Sequence, residues 1–265
     1  MRVQSLYIYP VKSLAGIEVS SFELDDFGPA GDRRWMLVDN QERFITQRQL
    51  PLLANVVTRL GPEGVEIGIP GQGDFALKPG VGGVVVKVWH DTVDAVAGPD
   101  AASDAISRYC GQKLRFVYMP DDSFRRVDPQ RVRENRRVGF ADGFPLLITN
   151  QASLDELNSR LADAVEMRRF RPNIVISGPE AWSEDRWKSV TVGETRLVVA
   201  KPCSRCVMTT VDPGTGLKDP ETEPLRTLSR YRRTEDGVIF GQNAVHQSCG
   251  RLSVGDAVDI SQQES

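Results

Sequence analysis

Apolar residues recur in short runs along the first 120 residues, and each run is closed by Gly, Pro, Asp or Asn. The stretches "RVQSLYIYP", "GIEVSSFEL", "RRWMLVD", "NVVTRL", "GVEIGI", "GVVVKVW" and "TVDAVAG" are rich in Val, Ile and aromatic residues. Such side chains fit a pleated, half-buried surface, and short strands at this regular spacing predict a barrel or a sandwich. One helix follows them. In "GPDAASDAISRYC", Ala102, Ile106 and Tyr109 stand near helical spacing.

The pattern breaks at "DDSFRRVDPQRVRENRRVGFADGFP", residues 121–145, where six arginines and two prolines leave no apolar period. This stretch predicts a long connection between two units, either a solvated loop or one wall of an anion site. Periodicity resumes in "SLDELNSRLADAV". Ser153 and Glu156 stand at capping-box spacing, and Leu154, Leu157, Leu161 and Val165 form an apolar stripe, so a helix is predicted from Ser153 onward. The runs "NIVISG", "SVTVG", "TRLVVA", "CVMTTV" and "DAVDI" then return to strands. The fold class is therefore mainly β with a few helices (α+β), in two units of residues 1–120 and 121–265. No internal repeat, low-complexity segment, G-x-G-x-x-G or P-loop is present.

Composition narrows the function classes. Hydrophobic residues make up 40% and charged residues 26% of the 265, an ordinary globular balance. A net charge of −3 gives no general reason to expect a nucleic-acid or anionic-membrane partner, so any anion site must come from local clustering. The N-terminal "MRVQSLYIYPVKSL" lacks the apolar core of a signal peptide, and no run approaches the roughly 18 apolar residues of a membrane span. The expectation is a cytoplasmic protein with reduced thiols and no membrane partner.

Two of the four cysteines lie in "KPCSRC", residues 201–206. Cys203 and Cys206 admit three readings. A structural zinc site could formally be completed by His246 and Cys249, although the gap between the two halves is long. A dithiol redox pair would normally open a helix after a strand, whereas the β-branched residues after Cys206 favour a strand. In the third reading one cysteine binds a soft metal as its thiolate, while cations such as Lys201 and Arg205 hold an anionic cofactor.

Five stretches, in order along the chain, resemble one known family. "YPVKSL" (9–14), "DRRWMLVD" (32–39), "FADGFPLLI" (140–148), "RFRPNIVISG" (169–178) and "CSRCVMTTVDPGTG" (203–216) are similar to the MOSC-domain proteins. The resemblance is to the subgroup of the mitochondrial amidoxime reducing component and bacterial reductases of N-hydroxylated bases. It implies an N-terminal β-barrel-like domain followed by a MOSC β-barrel domain, and a molybdenum cofactor of the molybdopterin type. By the same resemblance Cys206 is the metal ligand and catalytic centre, and Cys203 a neighbour without an assigned role. Lys12, Ser13, Arg33, Arg171, Asn173, Ser204 and Arg205 are implied to bind the cofactor, with Thr149, Asn150, Gln242 and Asn243 as additional pocket residues. Arginine forks, a lysine point charge and hydroxyls suit a phosphate-bearing pterin. Asp212 could reach the site, while His246 is expected to be structural or solvent-facing and His90 a turn residue.

The implied activity is reduction of N-hydroxylated compounds (hydroxylamines, N-hydroxylated bases and amidoximes) by removal of the N-bound oxygen. Some bacterial members append a ferredoxin-like domain whose cluster needs a C-x4-C-x2-C…C arrangement. The four cysteines here are not so spaced, which implies a separate flavoprotein or iron–sulfur electron donor. Two alternatives remain at this point: a sulfur-transfer protein carrying a persulfide on Cys206, and a non-catalytic carrier of the cofactor.

Overall fold

The computed structural model describes residues 1–62 and 64–262. Its largest sheet runs, edge to edge, through Ile17–Val19, Arg2–Ile8, Ile174–Ser177, Leu146–Asn150, Gly237–His246, Thr195–Ser204, Trp187–Val192 and Val258–Gln262. The two ends meet. Arg2 bridges Ala257, and Val3 N donates to Asp256 O at 2.9 Å, so the sheet closes into a barrel. The first two strands of the chain thus belong to the barrel otherwise built by the C-terminal half. Leu146–Asn150 and Ile174–Ser177 pair in parallel, which requires a crossover, and the helix Gln151–Asn158 lies in that connection. Leu6, Ile148, Ile174, Trp187, Val190 and Leu197 fill the core.

The N-terminal half builds a second sheet in the order Gly83–Val88, Asp91–Ala97, Arg115–Tyr118, Trp35–Val38, Phe44–Ile45. A bridge between Arg43 and Lys87 joins its two edges. The meander Val57–Gly61, Gly64–Ile69, Gly73–Leu77 packs Ile67, Ile69 and Leu77 against Ala102, Ala105 and Ile106 of the helix Asp100–Cys110. Gly111, with φ 67°, ends that helix in the left-handed conformation that a side chain disfavours. The mainly β, two-barrel expectation holds, with differences in detail. "GIEVSSFEL" divides at Ser20 into Ile17–Val19, which pairs with Arg2–Ile8, and Ser21–Asp25, which pairs with Gly250–Ser253.

Two predicted elements are corrected. The second helix begins at Gln151, because Asn150 caps it by accepting from Ala152 N at 3.1 Å. Ser153 sits inside, with its hydroxyl donating to Glu184 at 2.8 Å. The helix stops at Asn158, whose side chain instead bonds both the N and O of Val165. "CVMTTV" is no strand but the 3-10 turn Val207–Thr210. The Thr209 and Thr210 hydroxyls donate back to Cys206 O and Val207 O at 2.9 and 2.7 Å, which overrides their strand preference.

The arginine-rich stretch is partly a solvated loop, with Arg126, Arg131 and Arg133 exposed, and only its end, Ala141–Phe144, lines the cavity that holds Cys206. Val127, Val132 and Val138 are buried against Val245. Arg125 is buried too, donating to Gly139 O at 2.9 Å and to Asp91 at 2.7 Å. Phe140 N then donates to Arg33 O at 2.7 Å. Gly139 admits no side chain, since a Cβ would lie 2.8 Å from that same carbonyl. This clamp carries the following residues, Ala141–Gly143, to the seam between the barrels. Among the described residues no helix is long and apolar enough to cross a membrane.

Candidate functional site

A cavity of ≈ 160 Å³ opens at the seam. Its walls come from the turn after Arg2–Ile8, the segment before Trp35–Val38, the end of the arginine-rich stretch, and the loop around Cys206. Ser13, Arg33 and Arg171 line it with φ of 67°, 46° and 55°. Left-handed backbone at a non-glycine residue costs about 1–3 kcal/mol and persists only where the surroundings impose it. Here Arg33 N donates to Tyr9 O at 2.8 Å, and Arg171 N to Arg168 O at 3.1 Å.

One wall is a pair of guanidiniums over the Tyr9 ring, Arg33 at 4.3 Å and Arg171 at 4.2 Å from its centroid. Arg33 Nη1 donates to Asp32 at 2.6 Å and Asn173 at 3.2 Å, and Arg33 Nη2 to Arg171 O at 3.1 Å. Arg171 Nη1 donates to Leu14 O at 2.7 Å. Burial, reinforced by Arg33, lowers the Arg171 pKa to about 10. The cost of holding both cations side by side is offset when an anion binds.

The opposite wall carries the sulfur. Arg48 Nε donates to Cys206 Sγ at 3.3 Å, and Arg48 Nη2 to Asp142 at 3.0 Å. Asp142 also binds Lys12 Nζ, which donates in addition to Phe140 O at 2.7 Å. Cys203 faces a different cation, its Sγ accepting from Arg205 Nη1 at 2.9 Å. Burial pushes the Lys12 ammonium down to about 8 despite Asp142 beside it. Against the desolvation of the cleft, Lys12 and Arg48 hold the Asp142 carboxyl well below the usual carboxylate range.

A pH dependence follows from these two groups. As pH rises through about 8, Lys12 loses its proton while Asp142 stays ionised, so the cleft loses one positive charge. Sulfate, whose own charge is constant over this range, should bind the cofactor-free protein more weakly at pH 9 than at pH 7. Calorimetric titration should show this fall in wild type and a flatter, weaker profile in Lys12→Met. An identical slope in both proteins would place the titrating group elsewhere.

Four buried polar atoms of cavity-lining residues have no hydrogen-bond partner: Ser13 Oγ, Arg48 Nη1, Arg171 Nη2 and Arg205 Nε. Each can donate. Unsatisfied buried donors are uncommon in native proteins and call for a ligand or water. Four around one cavity fit an anion rich in oxygen acceptors, beside a cysteine sulfur able to ligate a soft metal.

The structure brings together Lys12, Ser13, Arg33, Arg171, Asn173, Ser204, Arg205, Cys206 and Asn243 around this cavity. It does not bring Thr149, Asn150 or Gln242 there. Thr149 is buried against Ile174 O, Asn150 caps its helix and binds Glu180 O, and Gln242 donates to Asp185. Asp212 is likewise turned away, accepting from Arg169 and from its own loop. Lys201 pairs with Asp236 at 3.0 Å, so the cation beside Cys206 is Arg48. Sequence reasoning missed Arg48, which sits in no quoted motif, and Asp142, which sits inside "FADGFPLLI". His90 does fall in a turn. His246 is buried, not solvent-facing, with burial lowering its pKa. Among the described residues no three His, Cys, Asp or Glu side chains are grouped to hold a metal ion, so Cys203, Cys206, His246 and Cys249 do not assemble a zinc site.

Two β-barrel units meet at an anion-fitting, cysteine-bearing cleft. The chain belongs to the MOSC family: the MOSC N-terminal beta barrel domain matches residues 1–113 and the MOSC domain residues 122–259. It is similar to mitochondrial amidoxime-reducing component 1 of Mus musculus, at 33% identity over 97% of this chain and 81% of that protein. The Homo sapiens protein of that name is 32% identical over 97% and 82%. Mitochondrial amidoxime reducing component 2 of Rattus norvegicus is 33% identical over 97% and 82%.

Proposed function

We propose that the chain is a molybdenum cofactor-dependent reductase of N-hydroxylated compounds, acting on hydroxylamines, N-hydroxylated bases and amidoximes. The observation that carries this reading is the set of four unpartnered donors around the cavity that holds Cys206. The relatives named as amidoxime-reducing components support it. Cys206 would ligate the metal, and Ser13, Arg33, Arg171 and Arg205 would hold the anionic pterin. When bound, the cofactor would supply the two-electron removal of the N-bound oxygen.

The remaining work belongs to the chain. The N–O bond breaks, two electrons and two protons enter, and the products are an N–H group and water. Arg48 fixes the Cys206 sulfur, and Asp142 fixes Arg48 and Lys12 in turn. Lys12 Nζ, with a pKa of about 8, holds a proton at neutral pH within the cleft, where it is suited to proton delivery.

The electrons would come from a separate flavoprotein or iron–sulfur protein. Molybdenum-loaded protein should reduce hydroxylamine with reduced viologen and stall with NADH alone. No reduction with viologen would leave a cofactor carrier as the better reading. Sustained NADH-driven turnover by flavin-free protein would remove the separate donor.

A further inference from the structure

Trp89 takes the first position of the two-residue hairpin loop between Gly83–Val88 and Asp91–Ala97. Its φ is 57°, a conformation that such loops normally assign to Gly, Asn or Asp. A bulky residue there is strained and calls for a reason beyond the turn itself. Trp89 as a residue is 45% exposed, yet its ring has neighbours on several sides. Nε1 donates to Asp142 Oδ1 at 3.3 Å, the Arg48 guanidinium lies 4.9 Å from the ring centroid, and the Phe44 ring packs at 5.0 Å and 55°. Both polar partners line the cavity, and Arg48 also contacts Cys206. Isolated exposed apolar side chains are ordinary. This one is an aromatic plane held by two cavity-lining side chains, one of which contacts the sulfur.

We propose that Trp89 is a specificity-determining residue: its exposed surface is a stacking platform that favours planar aromatic N-hydroxylated substrates over small aliphatic ones. This rests on the reductase reading above. Offset or edge-to-face aromatic contacts need no base- or ring-specific hydrogen bonds, so the platform accepts many planar rings. The N–O group supplies the chemistry common to all substrates, and the indole selects what is attached to it.

Two measurements on the molybdenum-loaded enzyme test this. With reduced viologen, Trp89→Ala should lower the ratio of kcat/KM for benzamidoxime to that for hydroxylamine about tenfold, chiefly through KM for benzamidoxime. Trp89→Phe should restore most of the ratio, because a ring remains. Independently of turnover, benzamidine, the product of benzamidoxime reduction, should quench tryptophan fluorescence in wild type but not in Trp89→Phe. An unchanged ratio in Trp89→Ala, or quenching that survives in Trp89→Phe, overturns the platform. If wild type reduces neither substrate but benzamidine quenching still depends on Trp89, the platform stands and the reductase reading fails.

Discussion

Cys206→Ser is expected to reduce N-hydroxylated substrates more than about a hundredfold more slowly than wild type, while Cys203→Ser stays within about tenfold. Both sulfurs reach the same cavity, so proximity does not separate them. Their partners do. Cys203 Sγ accepts from Arg205, a guanidinium already anchored on Phe170 O at 2.7 Å, and a serine oxygen can accept the same bond. Cys206 Sγ stands at the end of the Arg48–Asp142–Lys12 chain, and a serine hydroxyl at that point is a poor substitute for a soft thiolate ligand. Circular dichroism should show both variants folded. Equal losses in the two variants would contradict the assignment of Cys206. A persulfide on Cys206 without molybdenum would favour sulfur transfer instead.

Arg171→Gly is expected to weaken cofactor retention by about one to two decades, the worth of roughly 1.5–3 kcal/mol for a hydrogen bond to a charged group. Glycine is the informative replacement because Arg171 has φ 55°, which alanine would also resist. Removing the guanidinium relieves its repulsion with Arg33 but loses its bond to Leu14 O, so the empty protein should melt close to wild type. Arg33→Ala should weaken retention too, but with a stability loss, because Arg33 ties Asp32, Asn173 and the Arg171 carbonyl together. Molybdenum per chain after purification at limiting cofactor measures both. Full loading of Arg171→Gly would remove this residue from the cofactor site.

Most strands were legible because Val, Ile and aromatic runs between turn residues need little tertiary context. The helix start was not. Ser153 and Asn150 are both good caps by type, and only the burial of Ser153 against Glu184 decides between them. The Thr209–Thr210 turn was hidden in the same way, since back-bonding hydroxyls and strand preference compete at identical residues. Within the site, the motif residues that turn the backbone sharply were found. Thr149 and Gln242 were misplaced because a strand sends neighbouring side chains to opposite faces, and the motif alone does not fix the face. Arg48 was invisible: its bond to Cys206 spans 158 positions and appears only when the two barrels meet.

Cys206 and the unpartnered donors around it are proposed to hold a molybdenum cofactor. Elemental analysis of wild-type protein, purified from a host that makes the cofactor, tests this most directly. Molybdenum near one atom per chain is expected, with Arg171→Gly well below it under the same limiting supply. Wild-type protein that carries zinc, or no molybdenum at all, would contradict it.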